Sequence, residues 1–406
     1  MSKPAISTEL IHHPYRPPGG FAAPQMPAYR AATVLFPSVA AMRSRQWKDK
    51  SGYTYGLHGT PSTFTLEERL CTLEGGAQCL LASSGLAAIS NVSLALLRAG
   101  DEVLIPDNAY GPNKALAEGE LAAWGITHRF YDAMDPEGLA AMLGERTRLV
   151  WLEAPGSVTM EFPDLPRLAA LCRARGVCSA LDNTWGAGLA FRPFDLDDAG
   201  QGVDISVQAL TKYPSGGGDV LMGSVITRDE ALHLRLKLTH MRLGLGVGGN
   251  DVETLLRSLP SIALRYAAQD ATARRLARWW QGQPGVAQVL HPALEGSPGH
   301  AHWAALCAPQ GRLEEPGRAA GLFSVILDAA IPQARVDAFC DALRLFKLGF
   351  SWGGPVSLVV PYDLAAMRMA WPAGLPRGAL VRFSAGLEAA ADLVADLEQA
   401  FAALAG

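Results

Sequence analysis

Between about residue 66 and residue 230, short apolar runs alternate with segments whose apolar residues recur every three to four positions. The runs predict strands at Gln78 to Ala82, Glu102 to Ile105, Ile126 to Tyr131, Arg148 to Leu152, Val177 to Leu181, Val203 to Val207 and Leu221 to Thr227. The periodic segments predict helices between them. Ser84 to Leu97 carries Ile89, Val92, Ser93 and Leu96 on one face, and Asn113 to Trp124 reads as a second helix. Asp164 is a candidate cap for a helix that runs to Arg175, with Leu165, Leu168 and Cys172 on one side and Gly176 at its stop. Apolar strands separated by helices predict an α/β protein: a mostly parallel sheet with helices on both faces.

Past residue 255 the pattern changes. One long helix is predicted from Glu253 to Trp280. It is followed by strands at Val286 to His291, Gly321 to Leu327 and Leu380 to Ser384, and by helices at Gln333 to Leu345 and Ala389 to Leu404. This half reads as a smaller C-terminal α+β domain. Residues 1–60 are rich in breakers, as in Tyr15-Arg-Pro-Pro-Gly-Gly-Phe and Ser51-Gly-Tyr-Thr-Tyr-Gly. They read as an arm that packs on the main domain or on another subunit. The resulting division is 1–60, 61–255 and 256–406.

Composition narrows the class. Of 406 residues 49% are hydrophobic and 18% charged, which suits a buried core and excludes a disordered chain. A net charge of −4 argues against a nucleic-acid binder. No apolar run approaches the roughly 20 residues a membrane span needs, and residues 1–20 lack the apolar core of a signal peptide. The six cysteines have no C-x-x-C spacing, so a disulfide framework or zinc site is not expected, and a cytoplasmic location is.

Only 7 of the 35 basic residues are lysines, so a lysine in an apolar, glycine-rich setting stands out. Lys212 follows an apolar strand and precedes Pro214-Ser-Gly-Gly-Gly218. A desolvated lysine there can form a Schiff base; the plain alternative is a solvated loop lysine. Asp182 ends a strand, where it can face a cationic ring nitrogen or merely cap a helix. Ser84-Gly85-Leu86 opens a helix, whose free N–H groups suit a phosphate or simply a cap. Tyr110 follows a strand and can stack on a flat ring or pack in the core. Arg382 interrupts an apolar strand and needs an anion, either a ligand carboxylate or an internal partner. Gly244-Leu-Gly-Val-Gly-Gly249 fits a dinucleotide fingerprint but lacks the preceding strand. His291, His300 and His302 are assigned to a Pro/Gly loop, where surface or capping roles are expected rather than a metal.

Taken in order, these segments resemble the Cys/Met-metabolism family of pyridoxal-phosphate (PLP) enzymes, from about Thr8 to Phe401. The markers are Tyr55-Gly-Leu-His-Gly-Thr60, Leu73-Glu-Gly-Gly76, Ser84-Gly85, Glu153-Ala-Pro-Gly-Ser-Val-Thr-Met160, Asp182-Asn-Thr-Trp185, Thr211-Lys-Tyr213, Ser351-Trp-Gly-Gly354 and Arg382 with Gly386-Leu-Glu388. The resemblance implies the type I PLP-dependent transferase fold of the aspartate aminotransferase kind. It implies that Lys212 holds PLP and moves the Cα proton, that Asp182 pairs with the pyridine nitrogen, and that Tyr110 stacks on the ring. Gly85, Leu86, Thr211 and a neighbouring subunit's Tyr55 are implied at the phosphate, with Ser157 also on the cofactor side. Arg382, helped by Ser351, is implied to bind the substrate carboxylate, Trp352 to line the pocket, and Tyr55 to touch substrate as well. It further implies a homotetramer built of two dimers.

The family's phosphate-binding Arg is Leu57 here, so His58 or another cation is expected to compensate. Ala209 stands where a Ser is common, and the loop after Lys212 is expected to be more flexible than usual. Phe350, in place of a Glu, and Trp185 point to the β-lyase branch, acting on cystathionine or related thioethers. A γ-synthase or γ-lyase, or a broader cysteine-S-conjugate β-lyase, is the alternative.

Overall fold

The computed structural model describes residues 4–13, 20, 23–308 and 311–405. Seven strands form the larger sheet: β1 (Gln78–Ala82), β2 (Glu102–Pro106), β3 (Thr127–Tyr131), β4 (Thr147–Glu153), β5 (Cys178–Asp182), β6 (Ile205–Ala209) and β7 (Gly223–Thr227). Their order is β1-β7-β6-β5-β4-β2-β3. β3, β2, β4, β5 and β6 are parallel, and β7 runs antiparallel to both β6 and β1. Every strand predicted in this half is present; β6 and β7 each begin two residues later than predicted, at Ile205 and Gly223.

Local signals fix the helices that flank this sheet. Ser84 Oγ accepts from the Ala87 N–H, which starts Gly85–Leu96. Asp164 caps Leu165–Ala174 through the Arg167 N–H. A helix at Pro61–Glu74 was not anticipated, although its boundaries are written in the sequence. Thr60 and Thr63 form a reciprocal cap, Pro61 occupies the first turn, and Gly75 ends the helix at φ 81°.

The predicted helix from Glu253 to Trp280 is instead two. Gly249–Ser258 and Ile262–Gln281 are joined by a 3₁₀ turn at Leu259–Ser261. Pro260 is the cause, since it cannot donate to the preceding turn. The helix at Gly111–Leu116 continues through a π-helical stretch at Ala117–Leu121.

The second sheet contains β8 (Val286–Leu290), β9 (Leu322–Leu327), β10 (Lys347–Leu348), β11 (Leu358–Tyr362) and β12 (Leu380–Ser384), ordered β10-β11-β12-β9-β8. β11, which contains Pro361, was not predicted. Ile262–Gln281, Gln333–Ala342 and Ala390–Ala405 pack on this sheet around Trp280, Phe323, Phe339 and Phe383. His300 and His302, expected in a loop, lie on the helix His300–Cys307, whose start Gly299 adopts φ 77°. His291 is buried at the end of β8, where burial pushes its pKa down to about 3.

The arm splits in two. Leu10 and Met26 are buried in the main core, whereas Leu35, Val39 and Met42 are exposed. Thr33 and Tyr55 pair across an isolated bridge. The breaker-rich stretch 15–21 lies outside the described residues, Gly20 excepted.

Candidate active site

In parallel strands the residues just past the carboxyl ends share one edge of the sheet. That edge carries Tyr110 after β2, Glu153 at the end of β4, Asp182 at the end of β5 and Lys212 after β6. β12 of the second sheet faces them with Arg382. The result is one cavity of about 470 Å³ lined by Gly85, Leu86, Tyr110, Ser157, Asp182, Thr211, Lys212, Ser351, Trp352 and Arg382. Ten of the eleven residues singled out from the sequence therefore meet. Tyr55 does not line this cavity; it sits half-exposed on the arm, edge-on to His58. Leu57 and His58 are likewise elsewhere, beside Lys237 and His240, with His58 stacked on Trp47 at 4.9 Å.

Lys212 Nζ donates to Ser351 Oγ at 2.9 Å and lies 5.4 Å from the Trp352 ring centre. Gly353 permits this approach: at φ 77° its missing Cβ would stand 3.1 Å from the Lys212 carbonyl carbon. Burial, with Arg382 nearby, pushes the Lys212 pKa down to about 8, against the opposing charge of Asp182. The loop after Lys212 is tied on three sides. Arg265 donates to the Tyr213 carbonyl at 2.7 Å, Ser215 Oγ to the Thr211 carbonyl at 2.8 Å, and Ser258 Oγ to the Ser215 carbonyl at 2.5 Å.

Asp182 Oδ1 accepts from the Thr184 N–H at 3.0 Å and from its hydroxyl at 2.5 Å. Burial still raises its pKa, so the carboxylate has room for a cation. Arg382 is buried. Its Nη1 reaches the Ser157 carbonyl at 3.1 Å and its guanidinium lies 5.0 Å from the Tyr362 ring centre. Among the described residues no carboxylate is within ion-pair distance of it. The internal partner considered from sequence is thus absent there, and an external anion remains the natural mate.

Among the cavity residues that escaped the sequence reading, Glu153 and Tyr362 bear directly on the groups already named. Glu153 stands opposite Asp182 in the β4–β5 register, and its Oε2 accepts the Tyr110 N–H at 2.8 Å. Burial and Asp182 hold its carboxyl well above the usual range. The signal was available: like Asp182, it is a carboxylate at the end of an apolar strand. Tyr362 lines the wall one strand away from Arg382, and no one-dimensional signal pairs the two.

The residues present suit PLP. A lysine of lowered basicity, a buried carboxylate that can accept from a cationic ring nitrogen, and helix N–H groups at Gly85 and Leu86 are the groups such a cofactor needs. The buried guanidinium is then free for an amino-acid carboxylate.

Comparisons with known proteins agree. Residues 7–402 match the family model of the Cys/Met metabolism PLP-dependent enzymes. The chain is 40% identical over 404 residues to the cystathionine beta-lyase of Bordetella avium, covering 97% of each. It is 33% identical over 379 residues to that of Escherichia coli strain K12, covering 92% of each. A solved cystathionine gamma synthase from Xanthomonas oryzae superposes with a TM-score of 0.86 at 28% identity, over 100% of this chain and 99% of that one.

Proposed function

Because the chain belongs to the Cys/Met metabolism PLP-dependent enzyme family, we propose that it is a carbon–sulfur β-lyase. Its substrate is L-cystathionine or a related cysteine thioether, and its products are a thiol, pyruvate and ammonia. One observation carries this reading: among the described residues Lys212 is the only amine lining a cavity whose lining is aromatic at Phe350, Trp352 and Tyr362. γ-Elimination requires a second proton to leave Cβ. Phe350 offers no base for it, and the lining carboxyls, Glu153 and Asp182, are held at the cavity floor by Tyr110 and Thr184.

Lys212 would hold PLP covalently, Asp182 would keep its ring nitrogen protonated, and Tyr110 and Ser157 would line the cofactor's side of the cavity. Gly85, Leu86 and Thr211 would hold its phosphate. PLP, when bound, withdraws electrons from Cα. Arg382 grips the substrate carboxylate, which fixes Cα relative to Lys212. Ser351 orients the Lys212 amine, and burial, by disfavouring its charged form, favours the neutral amine that takes the Cα proton. Trp352 and Trp185 exclude water. The Cβ–S bond then breaks, the sulfur leaves with its electron pair and gains a proton, and water converts the three-carbon remainder into pyruvate and ammonia.

Among the described residues no cation of this chain lines the cavity beside Gly85 and Leu86, and Tyr55 lies outside its own cavity. We assign Tyr55 to a neighbour's site, which makes the working unit at least a dimer and, with the family's habit, a tetramer. No described helix is long and apolar enough to cross a membrane, and we place the enzyme in the cytoplasm.

The deciding experiment is product identity from L-cystathionine. Pyruvate with homocysteine is expected. Predominant 2-oxobutyrate with cysteine would move the chain to the γ-branch, and pyruvate only from other thioethers would make it a broader cysteine-S-conjugate lyase.

A further inference from the structure

Building on the β-lyase reading, we propose that Met367 is an adaptable partition in the substrate pocket, that large leaving groups occupy a second cavity behind it, and that Arg368 positions the partition. Met367 lines the catalytic cavity and also a separate cavity of about 400 Å³. Gly111 and Val158 border both spaces, so the two share one wall.

The backbone of that wall is clamped from both sides. Met367 ends the short helix Leu364–Met367 between β11 and β12. Lys114 Nζ donates to the Met367 carbonyl at 2.9 Å and to Asp107 Oδ1 at 2.8 Å. Arg368 Nε donates to Asp107 Oδ2 at 2.8 Å, and its Nη1 donates to Glu161 Oε2 at 2.9 Å and Thr159 Oγ1 at 3.2 Å. The Met369 N–H adds a bond to Asp107 Oδ2 at 3.1 Å.

The four charged side chains are only 12%, 9%, 8% and 6% exposed (Lys114, Asp107, Arg368 and Glu161), so removing one leaves the others short of a partner. Asp107 follows β2 and Glu161 follows β4, and these same loops carry Tyr110 and Ser157. The network therefore fixes the Met367 backbone relative to the reacting centre. The Met367 side chain, unbranched and with three rotatable bonds, remains free to yield.

The second cavity has a balanced lining. Lys114 and Arg368 offset Asp107 and Glu118, beside the apolar Phe130, Leu364 and Ala366. It suits a bulky leaving thiol that is uncharged or zwitterionic rather than one with net charge.

The test compares kcat/KM for pyruvate release from S-ethyl-L-cysteine and S-benzyl-L-cysteine. Met367→Ala should raise the benzyl-to-ethyl ratio at least tenfold, and Met367→Trp should lower it similarly. Arg368→Met should raise the ratio while lowering both values, and Arg368→Lys should restore part of it. A purely structural role for Arg368 would depress both substrates alike and leave the ratio unmoved. If Arg368→Met does not fold, the two Met367 variants decide the matter. Ratios within twofold of wild type in every folded variant, with wild-type pyruvate release intact, overturn the partition. Absence of pyruvate from every thioether with the wild-type enzyme overturns the β-lyase reading, and the partition with it.

Discussion

The amine of Lys212 and the hydroxyl of Ser351 are 139 residues apart in sequence and 2.9 Å apart in space. Each comes from a different sheet's loops, and Gly353 lets the two loops touch. This contact aims the Lys212 amine. Lys212→Ala should abolish both the visible-edge absorbance of bound PLP and turnover. Ser351→Ala should keep the absorbance and lose turnover by about tenfold, the cost of one hydrogen bond of roughly 1.4 kcal/mol. Unchanged turnover in Ser351→Ala would remove the orienting role.

The lowered basicity of Lys212 has a direct readout in cofactor-free protein. Burial and Arg382 both disfavour the charged amine, so its midpoint should fall near pH 8 rather than at the ordinary 10.5. The amine is protonated below that midpoint and neutral above it. Carbon-13 NMR of reductively methylated lysines should resolve it from the other six. Arg382→Met, which removes a like charge, should move the midpoint upward. A titration coincident with the surface lysines would contradict the buried setting.

In the proposed reaction Asp182 keeps the pyridine nitrogen protonated, and Asp182→Asn would remove the charge that does so. Turnover should fall at least about a hundredfold, in line with roughly 2.7–4 kcal/mol for a preorganised electrostatic contact. Near-normal turnover would reject the pairing.

Shared sites can be tested by complementation. Tyr55→Phe and Lys212→Ala subunits, each inactive alone, should regain part of the activity when mixed, since one site then has both intact halves. No recovery in verified mixed dimers would confine Tyr55 to its own subunit.

One stability prediction concerns the helix Ile262–Gln281. Asp270 pairs with Arg274 at 2.6 Å, with side chains 0% and 3% exposed, and its Oδ2 accepts the N–H groups of Gly317, Arg318 and Ala319. Asp270→Ala leaves a buried guanidinium without its carboxylate, held by the Leu313 carbonyl and the Trp303 ring, and three amides without their acceptor. It should cost about 3–5 kcal/mol, read from the denaturant midpoint.

The strands of the larger sheet and most of its helices were legible in sequence because their signals are local. Apolar runs such as Glu102 to Ile105 and caps such as Ser84 and Asp164 act within a few residues. The break at Pro260 was equally local and could have been read. The site residues were legible in part, because a lysine before a glycine-rich loop, or a carboxylate closing an apolar strand, is unusual on its face. Glu153 met that description too and was passed over. What sequence could not decide is which distant residues share a space. The parallel β4–β5 register sets Glu153 beside Asp182, β12 brings Arg382 to the Ser157 carbonyl in the same cavity, and the Arg368 network brings Met367 to the cavity wall. Chain position specifies only what lies nearby along the chain, whereas burial, charge pairing and pKa depend on neighbours that packing alone brings together.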